Sequence, residues 1–237
     1  MAARAKSVVA PSSAVRSEWL RRVEAEYRSA AITQHLGLWL IQIGAPPSLI
    51  ADAGRIVDDE MTHAEKSHAV FVAAGGAGAP SLPRESLGLQ RTSAPLEHDV
   101  LRAGVEVFCL GETVAVRLFK RLRAPWTKPV ARRALDRILR DEVRHREFGW
   151  TLLEWLLSTP LAPELRGVLA RELPAMIARL RRNYGADRVP ESAVAFAASD
   201  SEWGLMPLDE YRDAVEETFT RDYVPRFAAL DIDVTEH

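Results

Sequence analysis

The word Asp-Glu-x-x-His occurs twice in this chain, as "DDEMTHAE" around Glu60 and His63 and as "RDEVRHREFGW" around Glu142 and His145. Each copy lies inside a helical run. In the first, Leu49, Ala53, Ile56, Glu60, His63, Ser67 and Val70 recur at spacings of three and four; in the second, Leu135, Ile138, Glu142, His145, Gly149, Leu152 and Leu156 do the same. That spacing lines one face of an α-helix, so the stripe that should be buried carries an acid and an imidazole. The fold must therefore bring two helices together with their charged words inside.

Two further helices are predicted to complete the set. Apolar residues recur at helical spacing over 17–43, where "GAPPS" stops the run through Gly44, Pro46 and Pro47. The first charged word lies in the helix that follows, over about 48–74. The stretch 73–95 is rich in Gly, Pro and Ser, has no sustained period, and reads as a long connection. A third helix spans 96–122, "RAPWTKP" makes a short turn, and the fourth helix spans about 130–157 with the second charged word. Short links join antiparallel neighbours. A link of roughly twenty residues can extend some 60 Å, enough to return along a bundle of long helices. The expected fold is all-α: a four-helix bundle with one long crossover, plus helices over 162–184 and 208–230 that pack outside it. Residues 1–14 read as a flexible tail and 15–237 as one domain, with the bundle over about 17–157 and a helical extension over about 160–232.

The third helix places Leu101, Val105, Phe108, Glu112, Ala115, Phe119 and Leu122 on one stripe, so Glu112 is a lone acid pointing inward. The first helix is ambiguous. Trp19, Val23, Glu26, Ala30, Thr33, Gly37 and Leu40 put Glu26 inside, whereas Leu20, Glu24, Tyr27, Ala31 and Leu38 form a competing stripe. Periodicity leaves both open.

Burying an unpaired carboxylate costs several kcal/mol, about 1–3 even as judged from mutational data on neutral polar groups and more for a charge, and several facing acids raise one another's pKa. A positive partner is required. Two divalent ions bring four positive charges against four glutamates and two neutral imidazoles, and residues three apart on a helix can serve one site. The arrangement of one Glu from each of two helices and Glu-x-x-His from each of two others is the one found in dinuclear carboxylate bundles.

On "EYRSAA", "IGAPPSLI", "DDEMTHAE", "CLGET" and "RDEVRHREFGW", from about residue 19 to 155, the chain resembles the ferritin-like di-iron carboxylate superfamily. More closely, it looks like a group of bacterial ferritin-like domain proteins. The resemblance selects Glu26 over Glu24. It implies a metal-ligand set of Glu26, Glu60, His63, Glu112, Glu142 and His145, with Glu60 and Glu142 bridging and each His terminal. It further implies that Asp141 supports His63 and Asp59 supports His145 through their outer ring nitrogens. The family's first motif often has His and Ala after the ligand Glu. Tyr27 and Arg28 stand there in this chain, and Tyr27 is read as a packing residue that could also lie near the metals.

The implied function is a dinuclear-metal oxidoreductase, with two iron ions activating O2 to oxidise a small organic molecule and an electron donor resetting the pair. Manganese is an alternative metal, and zinc could enter by mismetallation. Two other readings are a ferroxidase or iron-handling protein and a metal-stabilised structural or interaction bundle without redox chemistry. About 80 residues beyond the bundle fit a compact storage-cage subunit poorly, and a monomer or homodimer is expected. A net charge of -2 gives no reason to expect a nucleic-acid partner, and no apolar run approaches the length of a membrane span. A single cysteine, Cys109, and an N-terminus without an apolar leader core point to the cytoplasm. Cys109, Trp150 and Trp155 read as packing residues, and His35 and His68 as surface or satisfied groups.

Overall fold

The computed structural model describes residues 10–124, 126–184 and 197–234, and among them there is no strand. Helix α1 is Ser13–Gln42, α2 is Pro47–Ala73, and α3 is Leu96–Ala103. A π-helical segment, Gly104–Glu112, leads from α3 without a break into α4, Thr113–Leu122; α5 is Pro129–Leu156 and α6 is Ala162–Asn183. Helix α7, Leu208–Thr218, passes through a second π turn, Phe219–Tyr223, into α8, Val224–Ala228. The expectation of an all-α chain holds. The expected flexible tail falls largely on residues 1–9, outside the described residues. Ser13 and Ala14, placed in that tail by the sequence reading, open α1 instead. No helix among the described residues is long and apolar enough to cross a membrane.

Helices α1 and α2 end in the same way. Gly44 and Gly75 adopt φ of 70° and 79°. The amides that follow them reach back into the last turn, Ala45 N to the Leu40 carbonyl and Gly76 N to the Phe71 carbonyl, both at 2.9 Å. Only a residue without Cβ takes this left-handed position cheaply, which is why each helix stops at a glycine. Helices α2 and α5 both start with proline at the first turn, where the missing N–H costs nothing.

Helices α1 and α2 pack antiparallel, with Ala53 against Gly37 and Ser29 against Glu60. Helices α2 and α5 are antiparallel too, since His63 meets Asp141 while Asp59 meets His145. The helix formed by α3, the π segment and α4 lies antiparallel to α5, with Leu152 against Gly104 and Trp150 hydrogen-bonded to Thr113 at 3.1 Å. Since α3 also touches α1, the four long helices close a ring. In that ring α2 and α3 run in the same direction, so residues 74–95 must travel the length of the bundle to join them.

All seven residues of the α2 stripe and all seven of the α5 stripe are buried. In α1 the stripe through Glu26 faces inward, and Leu38 of the competing stripe is exposed. The π segment was not legible in the periodicity. It packs where Gly149 lets α5 approach closely: a Cβ there would sit 2.5 Å from Phe108 Cβ and 2.8 Å from the Cys109 backbone nitrogen.

The C-terminal helices clamp the outside of this ring. Tyr223 donates a hydrogen bond of 2.6 Å to the Leu110 carbonyl in the π segment, and Arg117 of α4 pairs with Asp222 at 2.5 Å and with Glu217 at 2.9 Å. Near the start of α1, Trp19 Nε1 donates to the Trp203 carbonyl at 2.8 Å, drawing a short 3-10 turn, Ala198–Trp203, over the core.

Candidate metal centre

Glu26 of α1, Glu60 and His63 of α2, Glu112 at the end of the π segment, and Glu142 and His145 of α5 converge in the middle of the ring, all buried. Ligand atoms of Glu26, Glu60, His63 and Glu142 lie within 4.8 Å of one another, and so do those of Glu60, Glu112 and His145. These two overlapping groups, sharing Glu60, could hold metal.

Each Asp-Glu-x-x-His word supplies half of a crossed arrangement. His63 Nε2 lies 3.1 Å from Asp141 Oδ2, and His145 Nε2 lies 3.3 Å from Asp59 Oδ2. Pinned from outside through Nε2, each ring turns its Nδ1 inward. The His63 Nδ1 is 3.3 Å from Glu60 Oε2 and 3.7 Å from Glu142 Oε1; the His145 Nδ1 is 3.5 Å from Glu60 Oε1 and 3.3 Å from Glu142 Oε2. Glu60 and Glu142 thus each present one oxygen to one imidazole and the other oxygen to the other. Glu26 approaches on the His63 side, at 3.8 Å, while Glu112 belongs with His145.

Four of these inward atoms, Glu60 Oε2, His63 Nδ1, Glu142 Oε2 and His145 Nδ1, are buried with no hydrogen bond of acceptable geometry. An unsatisfied buried polar group costs about 1–3 kcal/mol, so four in one cluster indicate a missing common partner. A nitrogen lone pair and carboxylate oxygens accept a cation, and the donor set suits iron, manganese or zinc. The residues fit a metal.

Charge leads to the same partner. The outer carboxylates are already matched: Arg137 pairs with Asp141 and, at 3.0 Å, with Asp59, while Arg144 reaches Asp59 at 2.7 Å and Asp141 at 3.0 Å. With Arg140 also 3.3 Å from Asp141, the arginines are spent on the two outer aspartates and none of them pairs with the inner four glutamates. In the protein alone, burial and the like charge of Glu60 push Glu26 well above the carboxylate range, and burial and Glu142 do the same to Glu112. Burial also lifts Glu142 to about 7. Although burial works against it, the charges around His63, led by Asp141, push that imidazole up to about 11. Burial would raise Glu60 as well, but the neighbouring imidazoles of His63 and His145 hold it below its ordinary value. Protons thus stand in where cations would.

The remaining sequence candidates fall away from this cluster. Glu24, the alternative to Glu26, accepts the Ser81 amide at 3.2 Å and ties down the crossover. Tyr27 is half-buried and is absent from the described lining of the cavity beside the carboxylates. His35 accepts the Leu89 amide through Nδ1 at 3.0 Å, and the His68 ring lies tilted 5.9 Å from that of Phe71. Cys109 is buried, and burial pushes its thiol well up, which keeps it protonated and inert. Sequence reading missed Ser29, whose hydroxyl donates to Glu60 Oε1 at 2.7 Å, and the two arginines. Their signal was spacing: Ser29 is three after Glu26, and Arg137 and Arg144 are four before and three after Asp141.

It also missed a cavity of about 780 Å³ that touches all four glutamates. Its lining mixes apolar side chains, among them Leu110, Leu118, Phe119, Met176, Leu180 and Met206, with charged and polar ones such as Arg21, Arg28, Glu106 and Tyr211. No protein-family model, curated protein or solved structure matches the chain.

Proposed function

We propose that the chain is a ferritin-like dinuclear-metal oxidoreductase, with two iron ions as its cofactor, that uses O2 to oxidise a small organic molecule. The observation that carries this reading is the set of four unpartnered inward atoms on Glu60, His63, Glu142 and His145, beside a cavity that Glu60 and Glu142 line. When bound, the metals would supply O2 activation and the first electrons, with an external donor restoring them.

The chain's own residues would do the rest. His63 and His145 would bind through Nδ1, each held in the required tautomer by an aspartate on the facing helix. Glu60 and Glu142, each turned toward both imidazoles, would bridge; Glu26 and Glu112 would be terminal. Ser29 would fix the Glu60 carboxylate through its hydrogen bond. The cavity walls would hold the organic molecule beside the centre and keep bulk water away. A cavity of that size, with Leu110, Leu118, Phe119, Met176, Leu180 and Met206 in its lining, supports an organic substrate.

Anaerobic reconstitution with ferrous iron followed by exposure to O2 tests this. We expect two irons per chain, O2 uptake and a transient absorbance change. Iron bound without either O2 response would leave a metal-stabilised bundle instead.

A further inference from the structure

The cavity lining also takes in a second charged cluster, Arg22 and Glu18 on α1 with Tyr211 on α7, together with Leu118 and Leu122 on α4. Glu18 accepts from both Arg21 and Arg22, at 2.9 Å and 3.0 Å. Two guanidinium groups on one carboxylate leave one positive charge in excess. The Arg21 side chain is 62% exposed and hydrated, but that of Arg22 is only 6% exposed. Arg22 gives Nη2 to the Gly204 carbonyl at 2.9 Å and lies 4.4 Å over the Trp19 ring, while its Nη1 is buried without a hydrogen-bond partner. A buried guanidinium with an unfilled donor, lining a cavity, is best completed by an anionic acceptor. The Tyr211 hydroxyl is pushed up to about 12, chiefly by burial and next by the Glu18 carboxylate, against the opposing pull of Arg22, and stays a donor.

Arg22 precedes Glu26 by one helical turn, about 6 Å along the axis, and Ala25, Leu118 and Leu122 line the same cavity. A molecule spanning it must be charged at one end and apolar in between. We propose that the cavity binds an amphipathic organic monoanion, its carboxylate held by Arg22 and Tyr211 and its apolar body directed to the glutamate cluster. As the substrate of the centre this rests on the dinuclear reading; as a binding subsite it stands on Arg22 and the cavity alone.

Isothermal titration calorimetry with octanoate and with octan-1-ol tests the subsite, on protein loaded with manganese(II) and on protein treated with chelator. A charge-assisted contact predicts octanoate tighter than octan-1-ol by about tenfold or more. Arg22→Gln should bring octanoate to the alcohol's level and leave the alcohol unchanged, and Arg22→Lys should restore part of the difference. Circular dichroism checks that the variants fold. If Arg22→Gln does not, the wild-type discrimination decides by itself. Equal affinities, no binding, or octanoate binding that ignores Arg22 but disappears with chelator would each overturn the proposal, the last by placing the carboxylate on metal. Metal content of the manganese-loaded sample separates the two readings: discrimination by a protein that retains no manganese after loading keeps the subsite and overturns the dinuclear centre. Retained metal without discrimination overturns the subsite alone.

Discussion

His63 on α2 and Asp141 on α5 lie 3.1 Å apart, and this contact turns the imidazole Nδ1 toward the carboxylates of Glu26, Glu60 and Glu142. Its counterpart, His145 with Asp59 at 3.3 Å, does the same from the other helix. The crossed pairs make the two charged words dependent on each other. Neither helix can orient its histidine alone.

Asp141→Asn should therefore act on metal rather than on packing. The amide keeps the shape but no longer selects the Nε2–H tautomer, and loss of such an outer partner lowers metal affinity by roughly 10–100-fold. Competition with a chromogenic chelator would measure it. Affinity equal to the unaltered chain would show that the pair is only a structural contact.

Metal should stabilise the fold strongly. Free metal at about a hundred times its dissociation constant adds about 2.7 kcal/mol, and thermal melts with and without manganese(II) should separate accordingly. Glu142→Ala should abolish that separation while leaving the metal-free chain folded, since it also removes one of several repelling carboxylates. A full metal-induced rise in the variant would remove Glu142 from the ligand set.

The metal-free chain should lose stability as pH rises. Glu26, Glu112 and Glu142 are all shifted upward in the folded state. Each therefore contributes stability that is fully present below its unfolded value near 4.5 and lost as pH climbs through its raised folded value. His63 has the same sign, its contribution present below about 6.5 and lost toward about 11. Glu60 and Asp141, shifted downward, contribute above their unfolded values and matter only under more acidic conditions. From pH 5 to 8, on the order of the usual working range, melting temperature should fall without metal. With metal it should rise, because ligands must lose protons to bind. Parallel curves for the two forms would contradict this.

Gly149→Ala should be costly although alanine is the better helix former. Its Cβ would meet the Phe108 side chain and backbone at 2.5 and 2.7 Å, and overpacking of this kind costs about 1–3 kcal/mol. Because the displaced backbone is the π segment that ends in Glu112, metal affinity should fall as well. Gly54→Ala on α2, where a Cβ meets nothing within 4 Å, is the control and should be neutral or stabilising by up to about 1 kcal/mol in urea denaturation.

The sequence alone determined the helices and their inward faces. A period of three to four with glycine and proline stops depends only on local geometry, so the long helices and the burial of Glu60, His63, Glu112, Glu142 and His145 could be read from residue order. The choice between Glu24 and Glu26 could not, because both lie on helical stripes; it is settled by what packs opposite, the crossover amide of Ser81 for one and the cluster for the other. The π segment, the arginines around Asp59 and Asp141, the cavity and the unfilled donor of Arg22 likewise needed tertiary structure. Each arises from side chains on elements far apart in sequence, and their meeting depends on helix register and approach distance, which no single helix carries in its own pattern.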